Sequence, residues 1–148
     1  MLLLYIPNYV IMDKILYTAE VTAIGGRDGA IKSSDGILDF EVHKPEAMGG
    51  KGGATNPEQL FAAAWSSCFL GAMGAVGKKD NIILQDATVT AKVSFNEEDN
   101  SFFISAALEI HVPSLSKEEA QALANKAHKV CPYSKATRGN VNVTVTAV

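Results

Sequence analysis

Apolar and polar residues alternate along much of this chain. From Tyr17 to Ala23 the odd positions are apolar or small, while Thr18, Glu20 and Thr22 are polar. That period of two predicts a half-buried strand. The run Gly25-Gly26-Arg27-Asp28-Gly29 then reads as a turn. Leu38, Phe40 and Val42 alternate with Asp39, Glu41 and His43, predicting a strand over 36–43, with 29–34 as a short partner before it. Val89, Ala91, Val93 and Phe95 set a strand over 88–95, and the polar run 96–100 is a hairpin turn. Residues 103–112 return with Ile104, Ala106, Leu108, Ile110 and Val112 on one face. Val141, Val143 and Val145 predict a last strand over 141–148.

Two segments break this alternation. Asn56-Pro57-Glu58-Gln59 carries a cap, a proline at the first helical position and a glutamine three after the cap. The helix it starts runs to about Gly77, crowded with small residues such as Ala63, Ser67, Gly71 and Ala75. A helix that is small and apolar all round is expected to be buried. A single domain of this size can hardly surround a rod of about 30 Å, so a partner chain in an intertwined homodimer is expected. Ser116-Lys117-Glu118-Glu119 is a capping box. The helix after it aligns Ala120, Leu123, Ala124, Ala127, Val130 and Cys131 on one stripe, and Pro132 ends it. The class is α+β, with strands in two groups around a long buried helix.

Composition narrows the function. The 148 residues are 47% apolar and 20% charged with a net charge of -3, as in one soluble globular domain. No basic stripe with interleaved aromatics offers a nucleic-acid surface, and the charge gives no attraction to anionic membranes. Residues 1–11 are apolar but too short to span a bilayer, and they lack the features of an export signal. They read as an N-terminal extension to a single domain over 12–148, with a cytoplasmic location expected. The loop Ala47–Thr55 invites a phosphate-loop reading, but Gly52 follows Lys51 where that pattern needs Ser or Thr. A mobile loop admitting a substrate fits better.

The chain has two cysteines, Cys68 and Cys131, 63 positions apart and in no C-x-x-C arrangement. Both could be small core hydrophobes. The alternative is a reactive pair. A guanidinium beside a thiol favours the thiolate and can stabilise a departing oxygen. Arg27 and Arg138 are the two arginines, and Arg27 in its glycine turn can point inward. Glu58 could hold the guanidinium fork, or could serve only the helix dipole. On one straight helix Glu58 and Cys68 lie about 15 Å apart. Either that helix breaks, or the carboxylate beside Cys68 comes from another chain. His128 and Cys131, three apart on one helical face, could start a metal site. With only His43 and His111 remaining, on solvent-side strand positions, the ligand set is too small, and His128 better suits a helix C-terminus.

These residues also carry a resemblance. Gly25–Gly29, Ser33-Ser34-Asp35-Gly36, Thr55–Ala63, Ser67–Ala72 and Cys131–Asn140 together resemble the organic hydroperoxide resistance (Ohr) branch of the OsmC/Ohr family. The resemblance spans nearly the whole chain from Lys14. It implies antiparallel sheets around a long buried helix, and an intertwined homodimer with sites at the subunit interface. It further implies a thiol peroxidase that reduces alkyl and fatty-acid hydroperoxides to alcohols without metal or haem. Cys68 would be the peroxidatic cysteine, Cys131 the resolving one, Arg27 and Glu58 the activating pair, and a lipoyl dithiol the external reductant. Met48, Trp65, Phe69 and Leu70 are the expected substrate-pocket residues. An OsmC-type peroxidase of broader range and a redox-sensing dimer using the same disulfide are the alternatives.

Overall fold

A computed structural model describes residues 14–148, so the extension over 1–11 lies outside the described residues. Strands β1 (Val21–Ile24), β2 (Gly29–Ser33) and β3 (Asp39–Val42) form one antiparallel sheet. A short 3-10 turn (Glu46–Met48) leads into helix α1 (Pro57–Lys79). Strands β4 (Thr88–Glu98) and β5 (Ser101–His111) form a long hairpin, followed by α2 (Lys117–Val130), α3 (Pro132–Thr137) and β6 (Val143–Ala147). The second sheet has the order β4-β5-β6.

That second sheet is mixed, not antiparallel as expected, because β6 runs parallel to β5 with Leu108 opposite Val145. Parallel neighbours need a crossover connection, and the α2–α3 segment is that crossover. The core lies between this sheet and the helices. Leu108, Ile110, Leu123, Ala124, Ala127 and Cys131 are buried there against Trp65, Phe69 and Met73 of α1. Truncating Leu123, 2% exposed, to alanine would cost about 2–5 kcal/mol. Val130 falls off the stripe expected of α2 and is half exposed. The helix turns at Cys131, and Pro132 begins α3 at the first helical position, where its missing N–H costs nothing.

The long helix is continuous, capped by the Asn56 side chain accepting from the Gln59 amide at 2.9 Å. It is not buried on all sides within one chain. Trp65, Phe69, Met73 and Gly77 are buried, whereas Ala63, Ser67, Gly71, Gly74 and Ala75 form an exposed stripe. The sequence expects burial from composition, and one chain supplies cover for one face only. The first sheet is likewise open. All four β1 residues are exposed, as are Ile37 and Phe40.

Candidate active site

Arg27 sits where two glycines reverse the chain between β1 and β2. Gly25 has φ +79°, and a Cβ there would lie 2.8 Å from the Asp28 carbonyl oxygen, so only glycine fits without strain. The turn aims the guanidinium at Glu58 in the first turn of α1. Arg27 Nη1 donates to Glu58 Oε2 at 3.0 Å and Nη2 donates to Oε1 at 2.8 Å, a bidentate pair. The cation also lies 4.8 Å from the Phe95 ring centroid, over its face. Hydrogen bonds from Arg27 hold the Glu58 carboxyl below the ordinary carboxylate range, against the upward push of its burial. Glu58 in turn raises Arg27.

The cysteines form a second cluster. Cys68 projects from the middle of α1 and Cys131 from the bend between α2 and α3, where it caps both helices. Both are free thiols, with the sulfur atoms 3.8 Å apart. Burial is the chief influence raising the Cys68 thiol above its ordinary value, with Cys131 adding to it, while the Tyr133 backbone amide pulls the other way. Cys131 is fully buried and Cys68 partly so.

The two clusters do not meet in one chain. The helix between Glu58 and Cys68 is unbroken, so ten residues separate them by about 15 Å. Of the two options the sequence leaves open, a break in the helix is removed. An apolar concavity of about 560 Å³ has Arg27 on its wall together with Phe61, Ala64 and Tyr133, but not Cys68. Met48 lines two further concavities, one with Glu58 and Phe95 and one with Arg27 and Phe102. Leu70 is half-buried and lines none of these. Trp65 and Phe69, expected in the pocket, are fully buried and present no surface to a ligand in this chain. Their spacing of four on α1 puts them on the face that packs into the core.

Behind Cys131 lies a polar node that sequence reading misses. The Trp65 Nε1–H donates to Ser134 Oγ at 3.3 Å, and His128 Nδ1 lies 2.9 Å from the same oxygen. Ser134 is fully buried. The sequence assigns His128 to helix-terminus stabilisation, but burial first and then the charge of Arg138 hold its pKa below the ordinary imidazole value. Arg138 takes that role instead, donating from Nη2 to the His128 carbonyl at 2.7 Å. His43 is not solvent-facing either. Its Nδ1 bonds the Gly52 carbonyl at 2.6 Å, and the glycine loop expected to be mobile is tied further by Gly50 N–H to Pro45 and Gly52 N–H to Lys44. Among the described residues no cluster of three His, Cys, Asp or Glu side chains is placed to hold a metal.

The family model described as OsmC-like protein matches residues 50–146. The chain belongs to the OsmC/Ohr family. An organic hydroperoxide resistance protein of Xanthomonas axonopodis pv. citri is 48% identical over 136 residues, covering 90% of this chain and 96% of that protein. The crystal structure of the organic hydroperoxide resistance protein OhrB of Bacillus subtilis superimposes with a TM-score of 0.83 at 46% identity, covering 90% of this chain and all of that one. That of an organic hydroperoxide resistance protein OsmC from Legionella pneumophila gives 0.85 at 44%, covering 90% and 98%. Within the OsmC/Ohr family the chain therefore stands with proteins named for organic hydroperoxide resistance, and both its cysteines lie within the matched region.

Proposed function

We propose that this protein is a thiol-dependent peroxidase that reduces alkyl and fatty-acid hydroperoxides to alcohols, acting as an intertwined homodimer. The observation that carries the reading is the 3.8 Å contact between two free thiols, one partly open and one buried. The Cys68 thiolate attacks the outer oxygen of ROOH. The O–O bond breaks, ROH leaves with one added proton, and Cys68 becomes a sulfenic acid. Cys131 then attacks that sulfur, the S–O bond breaks and water leaves. The sulfur atoms close from 3.8 Å to about 2.05 Å. An external dithiol of lipoyl type reduces the disulfide by exchange and is itself oxidised to a disulfide. No bound cofactor takes part.

The dimer supplies what one chain lacks. Burial, with Cys131 adding to it, pushes the Cys68 thiol up, and a fast peroxidase needs the thiolate. The missing cation is Arg27, held by Glu58, reaching Cys68 from the second subunit. The bare small-residue stripe of α1 and the open first sheet, with Ile24 of β1 74% exposed, are the surfaces such a subunit would cover. A cytoplasmic location belongs to the same reading, since in a reducing compartment a cysteine pair is more often catalytic than a structural staple. The relatives named for organic hydroperoxide resistance support the substrate class, and the apolar concavities beside Arg27 suit an alkyl tail. Each buried methylene is worth about 0.8 kcal/mol.

The test is steady-state consumption of cumene and fatty-acid hydroperoxides with dihydrolipoamide. Cys68→Ser is expected to abolish turnover, while Cys131→Ser reacts once and then stalls or over-oxidises. Full turnover by Cys68→Ser would overturn the reading. A single stoichiometric reaction of the wild-type protein in excess dithiol would make it a sensor.

A further inference from the structure

One buried hydroxyl ties together the segments that bear the two cysteines. Trp65 stands three residues before Cys68 on α1, His128 three before Cys131 on α2, and Ser134 three after Cys131 on α3. The Ser134 oxygen meets the other two at 3.3 and 2.9 Å. An indole N–H only donates, so the serine oxygen accepts from Trp65. The hydroxyl keeps one proton and a second lone pair, so it donates to His128 Nδ1 or accepts from it according to the imidazole tautomer, and either way joins all three side chains. No buried side-chain nitrogen or oxygen among the described residues is left without a partner. The His128 ring also packs on Phe69, the neighbour of Cys68, at 6.3 Å between centroids. The bend bearing Cys131 is thus fastened to α1 on both sides of Cys68.

We propose that Ser134, with Trp65 and His128, positions Cys131 for the resolving step, keeping its sulfur at contact distance from the sulfenic acid formed on Cys68. The inference rests on the peroxidase reading above. The step it serves forms the S–S bond and breaks the Cys68 S–O bond, with hydroxide leaving as water on taking the Cys131 thiol proton. That step competes with a second hydroperoxide, which would carry the sulfenic acid to sulfinic acid. Misplacing a reacting group by about 1 Å can slow such a step up to a hundredfold. Ser134 touches no reacting atom and is a positioning residue.

The experiment is single-turnover reaction with cumene hydroperoxide, followed by the fluorescence of Trp65, the single tryptophan of the chain. Acid-quenched samples analysed by mass spectrometry report sulfenic, sulfinic and disulfide forms where the fluorescence change is lost. Ser134→Ala is expected to leave the second-order oxidation of Cys68 within about twofold, slow disulfide formation by about tenfold or more, and accumulate sulfinic acid. His128→Asn, which keeps a hydrogen-bonding group near the place of Nδ1, is expected to resolve much as wild type, whereas His128→Leu follows Ser134→Ala. Resolution at the wild-type rate in Ser134→Ala, or alike in the two His128 variants, overturns this inference alone. A wild-type protein that forms no disulfide with hydroperoxide overturns the peroxidase reading and this inference with it.

Discussion

Mixing two inactive variants tests whether a working site draws on two chains. Arg27 and Glu58 are bonded to each other at 2.8 and 3.0 Å within one chain. On the unbroken helix their station lies about 15 Å from Cys68 of that chain, far beyond the reach of a hydrogen bond. Arg27→Ala should cost about two to three orders of magnitude in rate, as the loss of a group stabilising developing charge does, and Cys68→Ser should have none. Unfolded together in equal amounts and refolded, half the dimers carry one chain of each kind. In these, the intact Cys68 of one chain faces the intact Arg27 of the other, and the second site lacks both. One working site in half the dimers restores about a quarter of wild-type turnover, far above either parent. Arg27→Ala mixed with Glu58→Ala is the control. Those residues belong to the same half-site, so mixing should yield no more than the average of the parents. The assay is hydroperoxide consumption with excess dihydrolipoamide, with dimer exchange verified by mass spectrometry. A Cys68→Ser and Arg27→Ala mixture no more active than its parents would refute the two-chain site.

Two further outcomes follow from the Arg27 turn. Because Arg27 depresses the Glu58 pKa, the stabilisation from the pair is fully present above the unfolded value of about 4.3 and is lost as pH falls through the lower folded value. Carboxyl NMR of the wild type should therefore place the Glu58 midpoint below that of an ordinary glutamate, and Arg27→Ala should raise it. An unmoved midpoint would show the pair to be electrostatically idle. Gly25→Ala forces a side chain into a left-handed backbone at φ +79°, costing about 1–2 kcal/mol. Thermal unfolding should show a lower midpoint, and Arg27-dependent turnover should fall more than stability does.

Period-two alternation locates the start of β4 and the presence of the hairpin, because each strand has one face on the core and the other in water, but residues 96–98 of the polar run read as its turn continue β4, paired with 101–103. It extends the first strand too far toward Tyr17, since nothing in one chain covers that sheet and the pattern there reflects a surface rather than an interior. The direction of β6 is not legible in its own residues. It is set by the crossover, and a proline read as a stop hides the short helix that Pro132 begins. The Arg27 turn and the two cysteines stand out in the sequence because glycine, arginine and cysteine are scarce or conformationally special there. Ser134 and His128 do not, since a serine and a histidine six apart carry no signal until a bend folds one onto the other. Trp65 and Phe69 mislead for a related reason. Large apolar residues beside a cysteine suit a pocket wall and a core equally, and only the face of α1 they occupy separates the two.

The unbroken α1 works as a ruler. It carries Glu58, the holder of Arg27, at its start and Cys68 near its middle, and in the dimer we propose those two marks belong to different reaction centres. One residue inserted between them would lengthen the rod by about 1.5 Å and turn everything beyond it by about 100°, throwing both centres out of alignment together. Length changes in this protein should therefore be tolerated in the hairpin tip near Asp99, and not between Glu58 and Cys68.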